Sequence, residues 1–131
     1  MTYYNNHRKL EVWKEAVLLA KAVYAMQRTF PAFEVYALGD QLRRAVVSIS
    51  ANIAEGNSRQ YGKERVRFFN IALSSLSEVD SLLAIAVELG YLNVDSDGKI
   101  LFPEIDDAVG VELRCESVSK MLSGLIRSSF Q

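Results

Sequence analysis

Residues 63–89, KERVRFFNIALSSLSEVDSLLAIAVEL, decide the fold of this chain. The stretch contains neither Gly nor Pro, and as an α-helix it would run for about seven turns. Its apolar side chains recur every three or four residues and cover more than half of the circumference: Phe68, Phe69, Leu73, Leu76, Val79, Leu82, Leu83, Ala86 and Val87. The stretch therefore predicts a long helix with a wide apolar arc, which Gly90 ends.

The segments on either side predict three more helices. One covers residues 10–29 and stops before Pro31, and another covers 37–55, where Gly56-Asn57 favours a left-handed stop. The last follows Pro103, and its apolar residues step by three and four in a heptad seam: Ala108, Val111, Cys115, Val118, Leu122 and Leu125. Short connections between them predict an all-α fold, an antiparallel up-down-up-down four-helix bundle. We expect a flexible tail at 1–9, a bundle domain at 10–131 and no strands.

The composition narrows the class of protein. A chain of 131 residues, half of them hydrophobic, can bury a core without disulfide or metal cross-links. One cysteine and one histidine provide neither an internal disulfide nor a zinc site. No signal peptide and no uncharged membrane-length run is present, so we expect a cytoplasmic protein without a membrane partner. No nucleophile and base can be paired, which predicts a non-enzymatic protein without cofactors.

Helices two and three carry more apolar surface than one bundle needs. Val47, Ala51 and Ala54 form a separate face of helix two, outside its main apolar stripe. Surplus apolar surface of this kind usually marks a protein contact, so self-association is the preferred interpretation. The alternative is a short bundle in which loops cover the helix ends.

The charges are unevenly distributed. Residues 1–70 hold eleven Lys and Arg against six acids, whereas residues 71–131 hold four against ten. Five cations are candidate contacts to nucleic acid or to a partner: Arg43, Arg59, Lys63, Arg65 and Arg67. The last four surround Tyr61, so they could bind phosphates while the ring stacks on a base. A solvated face or an intersubunit ion pair is the favoured alternative, because the net charge is −1.

The segment Asn93–Glu104 places Asn, Asp, Asp, Gly and Glu at positions 1, 3, 5, 6 and 12 of a calcium loop. Position 1 lacks a charge, Gly90 ends the preceding helix too early, and Pro103 interrupts the loop. Ordinary turn formation explains the same residues. A calcium-binding module is therefore a minor alternative.

Several motifs together resemble a known family. Leu10-Glu11-Val12-Trp13-Lys14-Glu15-Ala16 begins the first helix, and Phe30-Pro31-Ala32-Phe33-Glu34 follows it. Gln41-Leu42-Arg43-Arg44-Ala45 then precedes Ala51-Asn52-Ile53-Ala54-Glu55-Gly56, and Phe68-Phe69-Asn70-Ile71-Ala72-Leu73 comes later. The pattern resembles the four-helix-bundle proteins encoded in intervening sequences of 23S ribosomal RNA genes, a group related to the accessory protein of diversity-generating retroelements.

The resemblance implies a bundle that assembles into a ring, typically a homopentamer. For the retroelement member it also implies binding of nucleic acid and reverse transcriptase through a basic surface, whereas this chain is slightly acidic. Within the shared motif, Asn52, Glu55 and Gly56 have structural interpretations. We expect Asn52 and Ser48 to find buried partners across the bundle, at Ser74 or Ser77. Glu55 should pair with Arg44 or Arg59, and Gly56 should allow the turn.

Overall fold

The computed structural model of the chain describes residues 7–8, 10–102 and 110–130. In chain order these form α1 (Glu11–Gln27), a short 3-10 helix (Ala32–Glu34), α2 (Leu38–Ser58), α3 (Gly62–Glu88), β1 (Asn93–Val94), β2 (Ile100–Leu101) and α4 (Val111–Ser128). Most of the predicted tail 1–9, and the stretch 103–109 with Pro103 and Ala108, lie outside the described residues.

The four helices pack as the bundle that the periodicity predicts. Each helix contacts its neighbours in sequence, and α4 closes the arrangement against α1. The interior is a continuous apolar core to which every helix contributes; its largest fully buried side chains are Phe69, Leu19, Met26, Leu42, Ile49, Ile53 and Leu122. The predicted seam of α4 is confirmed at Val111, Val118 and Leu122, which are fully buried, with Cys115 and Leu125 packed beside them.

The most extensive helix contact joins α2 and α3, and it depends on Gly56. The expected stop at Gly56-Asn57 is wrong: α2 continues to Ser58, and Gly56 has no positive φ. A Cβ built on Gly56 would lie 2.6 Å from Cε1 of Phe69. The glycine is therefore needed for close helix approach rather than for a turn.

A polar contact lies further along the same helix pair. The Ser75 hydroxyl donates to Ser48 Oγ at 2.8 Å, and Asn52 Nδ2 donates to Ser48 O at 2.8 Å and to Ser48 Oγ at 3.0 Å. The predicted partners Ser74 and Ser77 are wrong: both are exposed, and the hydroxyl that contacts Ser48 is that of the neighbouring Ser75. The buried Ser75 and its half-buried partners thus form hydrogen bonds inside an otherwise apolar interface.

At the end of the bundle where α3 stops, hydrogen bonds connect the residues after α3 to the segment before α2. Gly90, with φ of 81°, ends α3 as predicted: its N–H bonds to Val87 O, and the Tyr91 N–H bonds to Ala86 O. The Tyr91 hydroxyl then donates to the buried Glu34 at 2.7 Å, and this hydrogen bond raises the pKa of Tyr91. The second carboxylate oxygen of Glu34 accepts the Leu38 N–H at the start of α2.

A two-stranded hairpin connects α3 to the region before α4, where no strand was expected. β1 and β2 pair antiparallel over two residues each, too short to show alternating polarity. Asp95 Oδ1 accepts the N–H groups of Asp97 and Lys99, and Glu112 Oε1 accepts the Ile100 N–H. The hairpin is therefore held by an Asp turn and by one carboxylate from α4.

α3 is long and apolar enough to cross a membrane by length and composition. The core helix of a bundle meets the same criteria, and α3 here packs against both α2 and α4. Val79, Leu82 and Ala86, part of its wide apolar arc, are buried within the single chain. Even so, only 33% of its most apolar window is buried, which leaves Ile71, Ile85 and other apolar groups exposed.

We expect the substitution Gly56→Ala to destabilise the fold by about 1–3 kcal/mol, because the added methyl group overlaps the Phe69 ring. Gly124→Ala is the matched control, since its Cβ would meet nothing closer than Arg127 Nη2 at 3.8 Å. There the higher helix propensity of alanine should stabilise the protein by about 0.5–1 kcal/mol. Urea unfolding followed by circular dichroism measures both values; equal effects at the two positions would contradict the packing argument.

Candidate functional site

The turn between α2 and α3 brings four of the five predicted cations to one end of the bundle. Arg59 follows α2, and Lys63, Arg65 and Arg67 lie in the first two turns of α3. Arg43 lies near the start of α2, at the other end of that helix. The structure therefore separates Arg43 from the remaining cations.

Arg43 makes internal hydrogen bonds. Its Nη1 donates to Gln27 Oε1 at 2.6 Å and its Nη2 donates to Val35 O at 2.7 Å, while Asp40 lies 3.9 Å away. The side chain is 23% exposed. These contacts tie α1 and the connection after it to α2, which is a structural use of the guanidinium.

Arg65 is also occupied within the chain. Its Nη1 donates to the carbonyl oxygens of Asn57 at 3.1 Å and of Arg59 at 3.2 Å, and its guanidinium lies 5.6 Å from the centre of the Phe69 ring. The last carbonyl groups of a helix lack intrahelical partners, and a cation there also suits the helix dipole. Arg65 thus caps α2 while holding the turn to α3.

Arg59 and Arg67 both contact Phe68. Their guanidinium carbons lie 4.8 and 5.5 Å from the centre of that ring, within the range of cation–π attraction. Arg59 also forms an ion pair with Glu55 at 3.3 Å. Of the two partners predicted for Glu55, Arg59 is thus confirmed, whereas Arg44 pairs with Asp40. Lys63 is exposed and makes no ion pair within the described residues. Arg67 and Lys63 are consequently the cations most open to a partner.

The last turn of α4 completes this end of the bundle. Gly62 lies directly against the backbone of Ser129. Phe130, the next residue, and Arg127, in the last turn of α4, therefore lie at the same end of the bundle as the α2–α3 turn. Phe130 is 69% exposed and Tyr61 is 65% exposed. Sequence reasoning missed both α4 residues, although an up-down bundle places the end of helix four beside the turn between helices two and three. We call this surface the basic end, comprising Arg59, Tyr61, Lys63, Arg67, Arg127 and Phe130.

The charges of α3 change sign along its length. Its first two turns hold three cations and one acid, Glu64; Glu78, Asp80 and Glu88 follow, with no further Lys or Arg in the helix. A helix dipole favours acids near the N-terminus and bases near the C-terminus, which is the opposite order. The helix dipole therefore suits Glu64 in the first turn but does not account for Lys63, Arg67 or Glu88.

The other end of the α3–α4 pair is acidic. Glu88 ends α3, Asp95 and Asp97 lie in the hairpin, and all three are exposed. We call these three carboxylates the acidic end. None of them forms an ion pair within the described residues, although Lys99 lies in the same hairpin.

A small cavity of about 220 Å³ lies between α3, the hairpin and α4, and Cys115 is in its wall. Burial, with smaller contributions from Asp80 and Glu112, raises the pKa of this thiol to about 12. The neutral thiol packs as a small apolar group, as its seam position predicts.

The candidate calcium loop can be followed only in part. Asp95 uses one carboxylate oxygen for the hairpin turn, and Glu104, the predicted bidentate ligand, lies outside the described residues. In the part of the chain that the structure describes, no three acidic, His or Cys side chains are grouped to hold a metal ion.

Fold and surface together define a small all-α bundle whose exposed chemistry consists of charged and aromatic groups at its ends. A family model described as 23S rRNA-intervening sequence protein matches residues 8–124, so the chain belongs to this family. No curated protein matches the chain. The relation to the retroelement accessory protein stays a prediction.

We expect Arg65→Met to lower the free energy of unfolding by about 1–3 kcal/mol, because it removes the hydrogen bonds from a cation to two terminal carbonyl groups. Lys63→Met removes the same charge from an exposed position and should change stability by less than about 0.5 kcal/mol. Thermal unfolding of the two variants beside the parent protein tests this; a larger loss for Lys63→Met would refute the capping role.

Proposed function

We propose that the protein is a non-enzymatic, ring-forming scaffold associated with RNA or a nucleoprotein complex. The observation that carries the proposal is apolar surface on the outside of α2 and α3: Val47 is 45% exposed, Ile85 is 44% and Ile71 is 38%, with Ala51 beside Val47 on α2. We call these four residues the α2–α3 outer face. Isolated exposed apolar groups are common, but a set shared by two adjacent helices favours a protein partner.

A second copy of the chain is the occupant that we propose for this face. Repeated use of one heterologous contact closes into a ring when the rotation between copies is right. The family resemblance supports the same assembly, with the homopentamer as its expected form. The proposed association of the protein with RNA rests on family membership alone.

In this proposal, light scattering coupled to size exclusion gives a defined oligomer for the parent protein. The double substitution Val47→Lys/Ile71→Lys should yield a folded monomer, because it places charges in the apolar contact. Leu113→Lys is the control, since Leu113 is 49% exposed on α4 and outside the face. Circular dichroism verifies folding; a parent protein that is monomeric at all concentrations would end the proposal.

Direct nucleic-acid binding through the predicted cations is the second candidate. It is favoured by the exposed rings of Tyr61 and Phe130 at the same end of the bundle as Lys63, Arg67 and Arg127, a combination that suits single strands. Arg65 contributes less than predicted, because its donors bind backbone carbonyl groups.

For this candidate, fluorescence anisotropy with a single-stranded RNA oligonucleotide should show affinity that falls steeply with salt. Lys63→Gln/Arg67→Gln should reduce the slope of log K against log salt by about 1.4, for two lost phosphate contacts. Lys21→Gln/Arg28→Gln, which removes two exposed cations from α1, should leave the slope unchanged. No retention of RNA at low salt would remove the candidate.

A further inference from the structure

The bundle carries unpaired charges of opposite sign at two separate places. Lys63, Arg67 and Arg127 at the basic end are exposed and form no ion pair within the described residues. The acidic end has three exposed carboxylates, those of Glu88, Asp95 and Asp97, which also form no ion pair within the described residues. Each end therefore has an excess of charge of one sign, although the exposed Glu64 lies among the cations and the exposed Lys99 lies in the hairpin with Asp95 and Asp97.

Side chains at each end are already held in place. Arg67 lies over the Phe68 ring, and Asp95 is fixed by the two N–H groups that it accepts in the hairpin turn. Groups restricted before binding lose less conformational freedom when a partner arrives. Both ends are therefore suited to forming ion pairs with another molecule.

We propose that the basic end of one copy binds the acidic end of another, so that assemblies of this chain stack head to tail. The proposal extends the self-association proposed above and rests on it. A second copy is the occupant that we propose because the chain carries its own exposed carboxylates at the acidic end, whereas its net charge of −1 provides no overall attraction for a polyanion. The copy supplies the exposed carboxylates of Glu88, Asp95 and Asp97 for the exposed cations Lys63, Arg67 and Arg127.

One exposed ion pair contributes little to binding, so a pair of single chains would hardly associate in this way. In a cyclic ring whose bundles stand along the symmetry axis, the arrangement that we propose, every copy points in the same direction. All basic ends then lie on one face and all acidic ends on the other. Contacts repeated around a ring then act together, and the combined affinity greatly exceeds that of one contact. Stacking is therefore a property of the assembled ring.

Sedimentation velocity of the full chain at about 20 mM and at about 500 mM salt tests the proposal, because salt screens exposed charges but not apolar contacts. The parent protein should form larger particles at low salt and return to the ring at high salt. Lys63→Glu/Arg67→Glu makes both ends acidic, and Glu88→Lys/Asp97→Lys makes both basic. Each variant alone should remain a single ring, whereas an equimolar mixture should stack again.

Lys21→Glu/Arg28→Glu is the control, with the same change of net charge as the first variant but located on α1. It should stack like the parent protein. Rings that grow equally at both salt concentrations, variants that stack alone, or a mixture that does not stack would overturn the inference while the ring remains. Growth that requires added single-stranded RNA would overturn it in favour of a polyanion. A chain that is monomeric under all conditions would remove both this inference and the ring.

Discussion

The contact between the Phe69 ring and the backbone of α2 at Gly56 is the constraint on which the rest of the bundle depends. Phe69 is fully buried, and burying a side chain of this size stabilises the fold by about 2–3 kcal/mol. A glycine lets the two helices approach until the ring touches the backbone. This approach puts Ser75 within hydrogen-bonding distance of Ser48 and places Arg65 over the end of α2. The positions of the side chains at the basic end therefore depend on this close approach of α2 and α3.

Periodicity was sufficient to predict the architecture. Four helices, the seam at Val118 and Leu122, and the glycine that ends α3 are all local patterns, and local patterns determine which face of a helix is buried. The role of Gly56 could not be predicted in this way. A glycine near the end of a helix suits either a left-handed stop or a close approach, and only the neighbouring helix decides between them. The hairpin was not predicted for a similar reason. It is held in part by a contact distant in sequence, because Glu112 of α4 accepts the Ile100 N–H.

The candidate surface was predictable in position but not in detail. Closeness in sequence is enough to group Arg59, Lys63 and Arg67 around one turn. It does not show that Arg65 donates to carbonyl groups or that Arg43 donates to Gln27, because both partners are defined by tertiary packing. The sign change along α3 was visible in the sequence as a difference between the two halves of the chain. In the folded chain, this difference in charge becomes a separation between the basic end and the acidic end of the bundle.

The state of Cys115 has a practical consequence for handling the protein. Thiolates, not thiols, react with maleimides and disulfides, and a thiol whose pKa is about 12 is almost entirely protonated at neutral pH. The chain has only this one cysteine. A cysteine introduced at an exposed position would therefore carry a fluorophore or spin label by itself, with the native thiol left in place. Distances between labelled copies in the proposed ring could then be measured without first removing a side chain from the core.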